Sequence, residues 1–114
     1  MARYTYFVNV GERELKTQFT DEEKKQITED FMWKQIDAAG GAEYTHGVYA
    51  TNDLQKALDI YEYEKAHLIW NEYTVAGRMK RTLVSFVDLE KWIYDDDGDE
   101  DDYITIYSAV AMPR

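Results

Sequence analysis

Residues 82–112 read TLVSFVDLEKWIYDDDGDEDDYITIYSAVAM. Two runs rich in β-branched and aromatic residues, Thr82 to Tyr94 and Tyr103 to Met112, flank an acidic stretch with Asp97-Gly98 near its middle. An Asp-Gly pair between two such runs is a strong hairpin signal, because a tight hairpin turn needs positive φ. The second run alternates Ile104, Ile106, Val110 and Met112 against Tyr103, Thr105 and Tyr107, the period of a strand. The first run also suits a strand followed by a short helix capped by Asp88, since Leu89, Trp92 and Ile93 fit either period. The turn favours the hairpin, and the hairpin makes the sheet antiparallel.

Working outward, Arg3 to Val10 sets Tyr4, Tyr6 and Val8 against Thr5, Phe7 and Asn9, a strand pattern. Gly11 permits a turn, after which Arg13 to Phe19 pairs back as a short second strand. Thr20-Asp21-Glu22-Glu23 is a capping box, with Thr20 and Glu23 each reaching the other's backbone amide. It opens a helix predicted to reach Ala39. Ile27, Phe31 and Ala38 lie on one line of that helix and Met32, Ile36 and Ala39 on the next, with Trp33 turned away. Gly40-Gly41 suits a helix C-terminus. Ala42 to Ala50 reads as a loop or weak strand, with Gly47 interrupting an alternation of Tyr44, His46 and Val48. Thr51 or Asn52 then caps a long helix over Asp53 to Tyr73, closed by Gly77. These elements predict an α+β fold: an antiparallel sheet of four to five strands with two α-helices packed on one face.

The 114 residues form one domain spanning 1–114, the size of a chain that folds around a single core. Hydrophobic residues make up 45% and aromatics 15%, too apolar for a disordered acidic tail. No cysteine is present and Pro113 is the one proline, so neither a disulfide framework nor a proline-rich linker is expected. No apolar run approaches the roughly 18 residues that span a bilayer. The alternating polar and aromatic start, Met1 to Tyr6, does not read as a secretion signal. A cytoplasmic protein is the expectation.

The net charge of −10 comes from 23 acidic and 13 basic residues. That sign opposes direct nucleic-acid binding, which draws its affinity from Lys and Arg displacing counterions, and it opposes docking on an anionic membrane. The charge is concentrated. In residues 95–102, Asp95, Asp96, Asp97, Asp99, Glu100, Asp101 and Asp102 surround Gly98, and removing these seven leaves 16 acids against 13 bases, a body of −3.

Three readings compete for this loop. It can be a solvated tip that prevents edge-to-edge strand pairing. It can hold a divalent cation, although the EF-hand register fails: with Gly98 at its sixth position, the first falls on Ile93 and the twelfth on Ile104, both apolar. Or it can recognise a basic surface, speeding encounter by electrostatic steering.

On the predicted long helix, Leu54, Ala57, Leu58, Tyr61, Leu68 and Ile69 form the core stripe. Ile60, Tyr63, His67 and Trp70 make a second stripe near the opposite side, either covered by a neighbouring element or exposed as an aromatic partner anchor. Catalytic patterns are missing. His46 and His67 lack ligand partners at metal-binding spacing, Ser85 and Ser108 lack a nucleophile elbow, and Gly40-Gly41 is not followed by a phosphate-loop lysine. The carboxylate pairs Glu22/Glu23 and Glu62/Glu64 read as helix-surface neighbours. Arg78-Met79-Lys80-Arg81 is too short a basic run for a nucleic-acid footprint.

The expected function is therefore a non-catalytic interaction module, an inhibitor or regulator that docks on a basic groove of a partner such as a nuclease. No cofactor is implied. The alternatives are a divalent-cation-responsive domain using the Asp-rich loop and a small enzyme of unknown class. In size and net charge the chain resembles the small acidic inhibitors of phages and mobile elements, including antirestriction and anti-CRISPR proteins. That resemblance implies mimicry of nucleic acid, and the near-neutral body makes it a local plug rather than a copy of a duplex, which carries one charge per about 1.7 Å.

Overall fold

A computed structural model describes residues 3–15, 18–39 and 43–113, with the side chains of 35–39, 43–46 and 101 outside that description. The order is β1 (Arg3–Leu15), α1 (Asp21–Gln26), α2 (Glu29–Ala39), β2 (Glu43–Thr51), α3 (Leu54–Ala66), β3 (Trp70–Val75), β4 (Met79–Tyr94) and β5 (Glu100–Val110). The five strands form one antiparallel sheet, curled into a half-barrel. The α+β class and the antiparallel sheet are as the sequence predicts.

β4 organises the sheet. One edge pairs with β1 along the whole of that strand, from Arg3↔Tyr94 to Leu15↔Thr82. The other edge is shared end to end by β3, from Val75↔Met79 to Trp70↔Val84, and β5, from Phe86↔Val110 to Tyr94↔Glu100. Ser85 sits at the changeover. Its buried hydroxyl accepts from the Ile69 N–H at 2.6 Å, and its carbonyl accepts from the Ala111 N–H at 2.8 Å, so the seam leaves these backbone groups paired.

Strand alternation splits the core in two. Tyr6 and Val8 on β1 and Val87 and Leu89 on β4 face α3, where they bury Ala57 and Tyr61 together with Ala109. Leu15, Val84 and Phe86 face the opposite way and pack with Phe19, Met32 of α2, Val110 and Ala111. Among the described residues there are three helices rather than the two expected on one face, with α3 against one face and α2 against the other. Each fully buried Leu or Val side chain contributes about 1.5–3 kcal/mol.

Three expectations are corrected. Gly11 is not a turn: β1 continues through it to Leu15, because β4 offers an unbroken ladder, and Gly11 instead marks a register shift against β2. Arg13 to Phe19 is accordingly not a second strand. The predicted helix from Thr20 to Ala39 is broken. The capping box forms as expected, but Ile27 is extended, and the Thr28 hydroxyl accepts from the Phe31 N–H at 3.2 Å to start α2 afresh. The break rotates α2, so Trp33 turns inward against Phe86 while Phe31 is exposed. Ala42 to Ala50, read as a loop or weak strand, takes the strand alternative over its described residues, as β2, an edge strand held by β1.

The long helix is also shorter than predicted. Asp53, rather than Thr51 or Asn52, caps α3, accepting from the Gln55 and Lys56 N–H groups. α3 ends at Ala66, and residues 70–75 form β3, since the free edge of β4 captures a run of aromatic and β-branched residues. Gly40-Gly41 lies outside the described residues.

Candidate functional site at the acidic end of the sheet

Sixteen residues of β4, at about 3.3 Å each, extend about 50 Å, nearly the 55 Å long axis of the molecule. The β4–β5 connection therefore stands at one extremity. Asp95 builds it. Its Oδ1 accepts from the N–H groups of Asp97 and Asp99 at 3.0 and 2.9 Å, and its carbonyl accepts from Gly98 N–H at 3.1 Å. Gly98 supplies the positive φ of 86°, which a side chain resists. Asp96, Asp97 and Asp99 are exposed around this frame.

Glu100, Asp101 and Asp102 are not in the turn but open β5. Glu100 pairs with Tyr94 and Asp102 with Ile93 across a register shift, so these two acids lie on opposite faces of the sheet. The side chain of Asp101 lies outside the described residues. Among the described residues, no group of three or more His, Cys, Asp or Glu side chains is placed to hold a metal ion.

The second predicted stripe is divided. Ile60 is half-buried against the α3-side core. Tyr63, 62% exposed, stacks on His67 with ring centroids 4.3 Å apart, and the His67 Nδ1 lies 2.7 Å from the Tyr63 carbonyl at the end of α3. Trp70 belongs to β3, not to the helix, and packs against Phe19 on the opposite face. The helix had to reach Trp70 for these four residues to share a line, and it ends at Ala66. His46 lies outside the described side chains.

A second feature adjoins the acidic turn. On the face opposite α3, a hollow of about 230 Å³ is lined by Phe7, Asn9, Glu90, Trp92 and Tyr94, all of them strand residues. Register puts them together: Phe7 pairs with Glu90 and Asn9 with Asp88 across β1 and β4, and Trp92 pairs with Tyr103 across β4 and β5. Phe7 meets Trp92 edge to face at 5.7 Å, and Trp92 stacks on Tyr103 at 5.0 Å. Tyr94 also lines a neighbouring hollow with Arg3, Tyr4 and Gly98, which joins the aromatic surface to the acidic turn.

Glu90 is the charged group inside this hollow. Burial pushes its carboxyl above the usual carboxylate range, and the Asp88 carboxylate adds to the rise. Hydrogen bonds from the Asn9 amide and the Trp92 side chain pull the other way. On the α3 side the Tyr61 hydroxyl is pushed up to about 12, first by burial and then by Glu29 and Glu62, so it stays protonated and neutral.

None of Phe7, Asn9, Glu90, Trp92 or Tyr94 stands out in the sequence as a site. The available signal was an aromatic residue on both faces of the same strand, as at Tyr6 and Phe7, at a place where only one face is covered by a helix.

No protein family, curated protein or solved structure matches the chain. No helix among the described residues is long and apolar enough to cross a membrane.

Proposed function

We propose that this chain is a non-catalytic interaction module whose acidic β4–β5 end docks on a basic surface of a partner protein, inhibiting or regulating it. The observation that carries the reading is placement: the turn acids, exposed and with no basic residue in the run 95–102, stand at the tip of the longest strand of an elongated body. A narrow, negatively charged tip suits a groove built for phosphates, where Lys and Arg already converge. A nucleic-acid-processing enzyme is the partner class this implies, in the manner of antirestriction and anti-CRISPR inhibitors.

The test is a binding comparison against a partner recovered with the intact chain and then purified. In the variant, Asp95, Asp96, Asp97, Asp99, Asp101 and Asp102 become Asn and Glu100 becomes Gln. Asn at position 95 keeps the Oδ1 acceptor that frames the turn. The reading predicts about a hundredfold weaker binding, and wild-type affinity that falls steeply with salt, as attraction between solvent-exposed charges demands. Equal affinity of the two proteins contradicts it.

A further inference from the structure

We propose that the hollow formed by Phe7, Asn9, Glu90, Trp92 and Tyr94 receives an arginine side chain of the basic partner, so that the acidic turn steers the encounter and the hollow selects the residue. This inference rests on the docking reading above and adds the chemistry of its specificity.

Four observations converge on a planar cation. The first is size: about 230 Å³ lies below the roughly 300–1,000 Å³ of pockets for whole small molecules and suits a single side chain. The second is the wall. The Phe7, Trp92 and Tyr94 rings present π surfaces and edges, and aromatic faces attract guanidinium groups by both cation–π attraction and stacking.

The third is the anchor. Glu90 is half-buried, and its two hydrogen-bonding neighbours, Asn9 and Trp92, use part of a carboxylate's capacity of about four acceptor sites. The remaining lone pairs fit the fork of a guanidinium, whose paired N–H groups give bidentate, charge-assisted bonds.

The fourth is charge complementarity. Asp88 lies one pair along on the same face, bonded to the Ser108 hydroxyl at 2.7 Å, and the acidic turn begins next to Tyr94. Lys91, next to Glu90 on β4, points to the other face, where its Nζ sits 4.4 Å from the Tyr4 ring centre. Arg3, paired with Tyr94, lines the neighbouring hollow rather than this one. An anionic or neutral occupant would leave Glu90 without a counter-charge, whereas an arginine compensates it.

Arginine is favoured over lysine on physical grounds. A lysine ammonium is compact and strongly hydrated, and it cannot stack flat against an indole while bridging two carboxylate lone pairs. The hollow therefore contributes to the ratio of arginine to lysine binding, while the turn contributes to the binding of any cation.

That division defines the experiment. Three short acetylated and amidated peptides of identical length, carrying arginine, lysine or neutral citrulline at the same positions, are titrated calorimetrically into the full chain. The wild-type protein is expected to bind the arginine peptide about tenfold more tightly than the lysine peptide, the worth of one charge-assisted fork, with the citrulline peptide weakest. Glu90→Gln is expected to bring the arginine-to-lysine ratio to within about twofold of one. Phe7→Leu, a second variant on a different strand that keeps apolar volume, is expected to lower the same ratio. The variant with all seven acids at 95–102 neutralised is expected to weaken both cationic peptides together and leave the ratio intact.

A wild-type ratio near one overturns the inference, as does a ratio unchanged by both Glu90→Gln and Phe7→Leu. Those results leave the docking reading standing if the seven-acid variant still loses affinity. Full affinity in the seven-acid variant overturns the docking reading itself. A heat of dilution of the chain alone that disappears in Glu90→Gln would assign the hollow to a second copy and overturn the partner assignment.

Discussion

β4 carries a hairpin at each end, and the two are built in opposite ways. At the β3–β4 end, basic residues outnumber acids in the turn region, and two strand charges are held by neighbours: Arg81 meets Glu14 at 3.1 Å and Lys24 meets Glu72 at 2.7 Å. Trp70 of that hairpin is drawn into the core beside Phe19. At the β4–β5 end one acid, Asp95, organises the turn, and its acidic neighbours Asp96, Asp97 and Asp99 stand exposed around it. The first end ties Trp70, Glu72 and Arg81 into the fold and leaves the turn residues Arg78, Met79 and Lys80 exposed. The second sets exposed acids beside an aromatic face that no helix covers among the described residues, a combination that suits recognition.

The largest effect tests what the ends share. Leu89 is fully buried at the middle of the α3-side core, and Leu89→Ala is expected to cost about 2–5 kcal/mol. Denaturant unfolding followed at tryptophan and by far-UV circular dichroism should show one coincident transition, shifted to lower denaturant; separate transitions would mean that the two ends of β4 fold apart.

The turns themselves come next, with opposite signs. Gly98 has φ 86° and open space where an added methyl group would sit, so Gly98→Ala should cost about 1–2 kcal/mol through backbone strain alone. At the other end Ala76 already carries φ 53° beside Gly77 at 71°, and Ala76→Gly should stabilise by up to about 1 kcal/mol as that strain is released. Thermal unfolding of the pair checks both.

A smaller pair isolates Asp95 from its charge. Asp95→Ala removes the acceptor of two backbone N–H groups and should cost about 1 kcal/mol. Asp95→Asn keeps the oxygen and should stay within about 0.5 kcal/mol of wild type. If both variants are equally destabilised, charge rather than geometry holds the turn.

The smallest effect is the pH dependence of Glu90. Its folded carboxyl lies above the ordinary value of 4.5, first through burial and then through Asp88. The folded state thus holds that proton more tightly than the unfolded chain. The associated stability is fully present below pH 4.5 and is lost as pH rises through the elevated folded value. Neighbouring groups on the face, Asn9 and Phe7 on β1 and Thr105 and Tyr103 on β5, bring no opposing cation. Stability curves of wild type and Glu90→Gln should therefore converge at acid pH and separate above it, with the Gln variant the more stable; parallel curves would remove Glu90 as the titrating group.

The hairpin over residues 82–112 was legible because Asp97-Gly98, strand alternation and β-forming residues agree there. The capping box at Thr20 and Glu23 was legible for the same reason: its bonds are local. The failures are places where a distant strand decides. Gly11 reads as a turn, and only the length of β4 keeps β1 straight through it. Trp70 to Val75 fits a helical period well enough to extend α3, and only the free edge of β4 makes it a strand. The acids of the site were visible as a charge run, but their division between turn and strand depended on a register shift. Phe7, Asn9, Glu90 and Trp92 were invisible as a group, because they come from two strands about 80 residues apart in sequence, brought together by pairing.

The most direct test is amide and indole chemical-shift mapping of the full chain during titration with the arginine peptide. The binding end defined above predicts that the Trp92 indole and the amides of Phe7, Glu90, Tyr94, Asp99 and Tyr103 shift together and saturate at one affinity, while Tyr73, Arg78 and Arg81 at the far end of β4 do not move. Shifts centred on the β3–β4 hairpin, or spread evenly over acidic residues of α1 and α3, would contradict it.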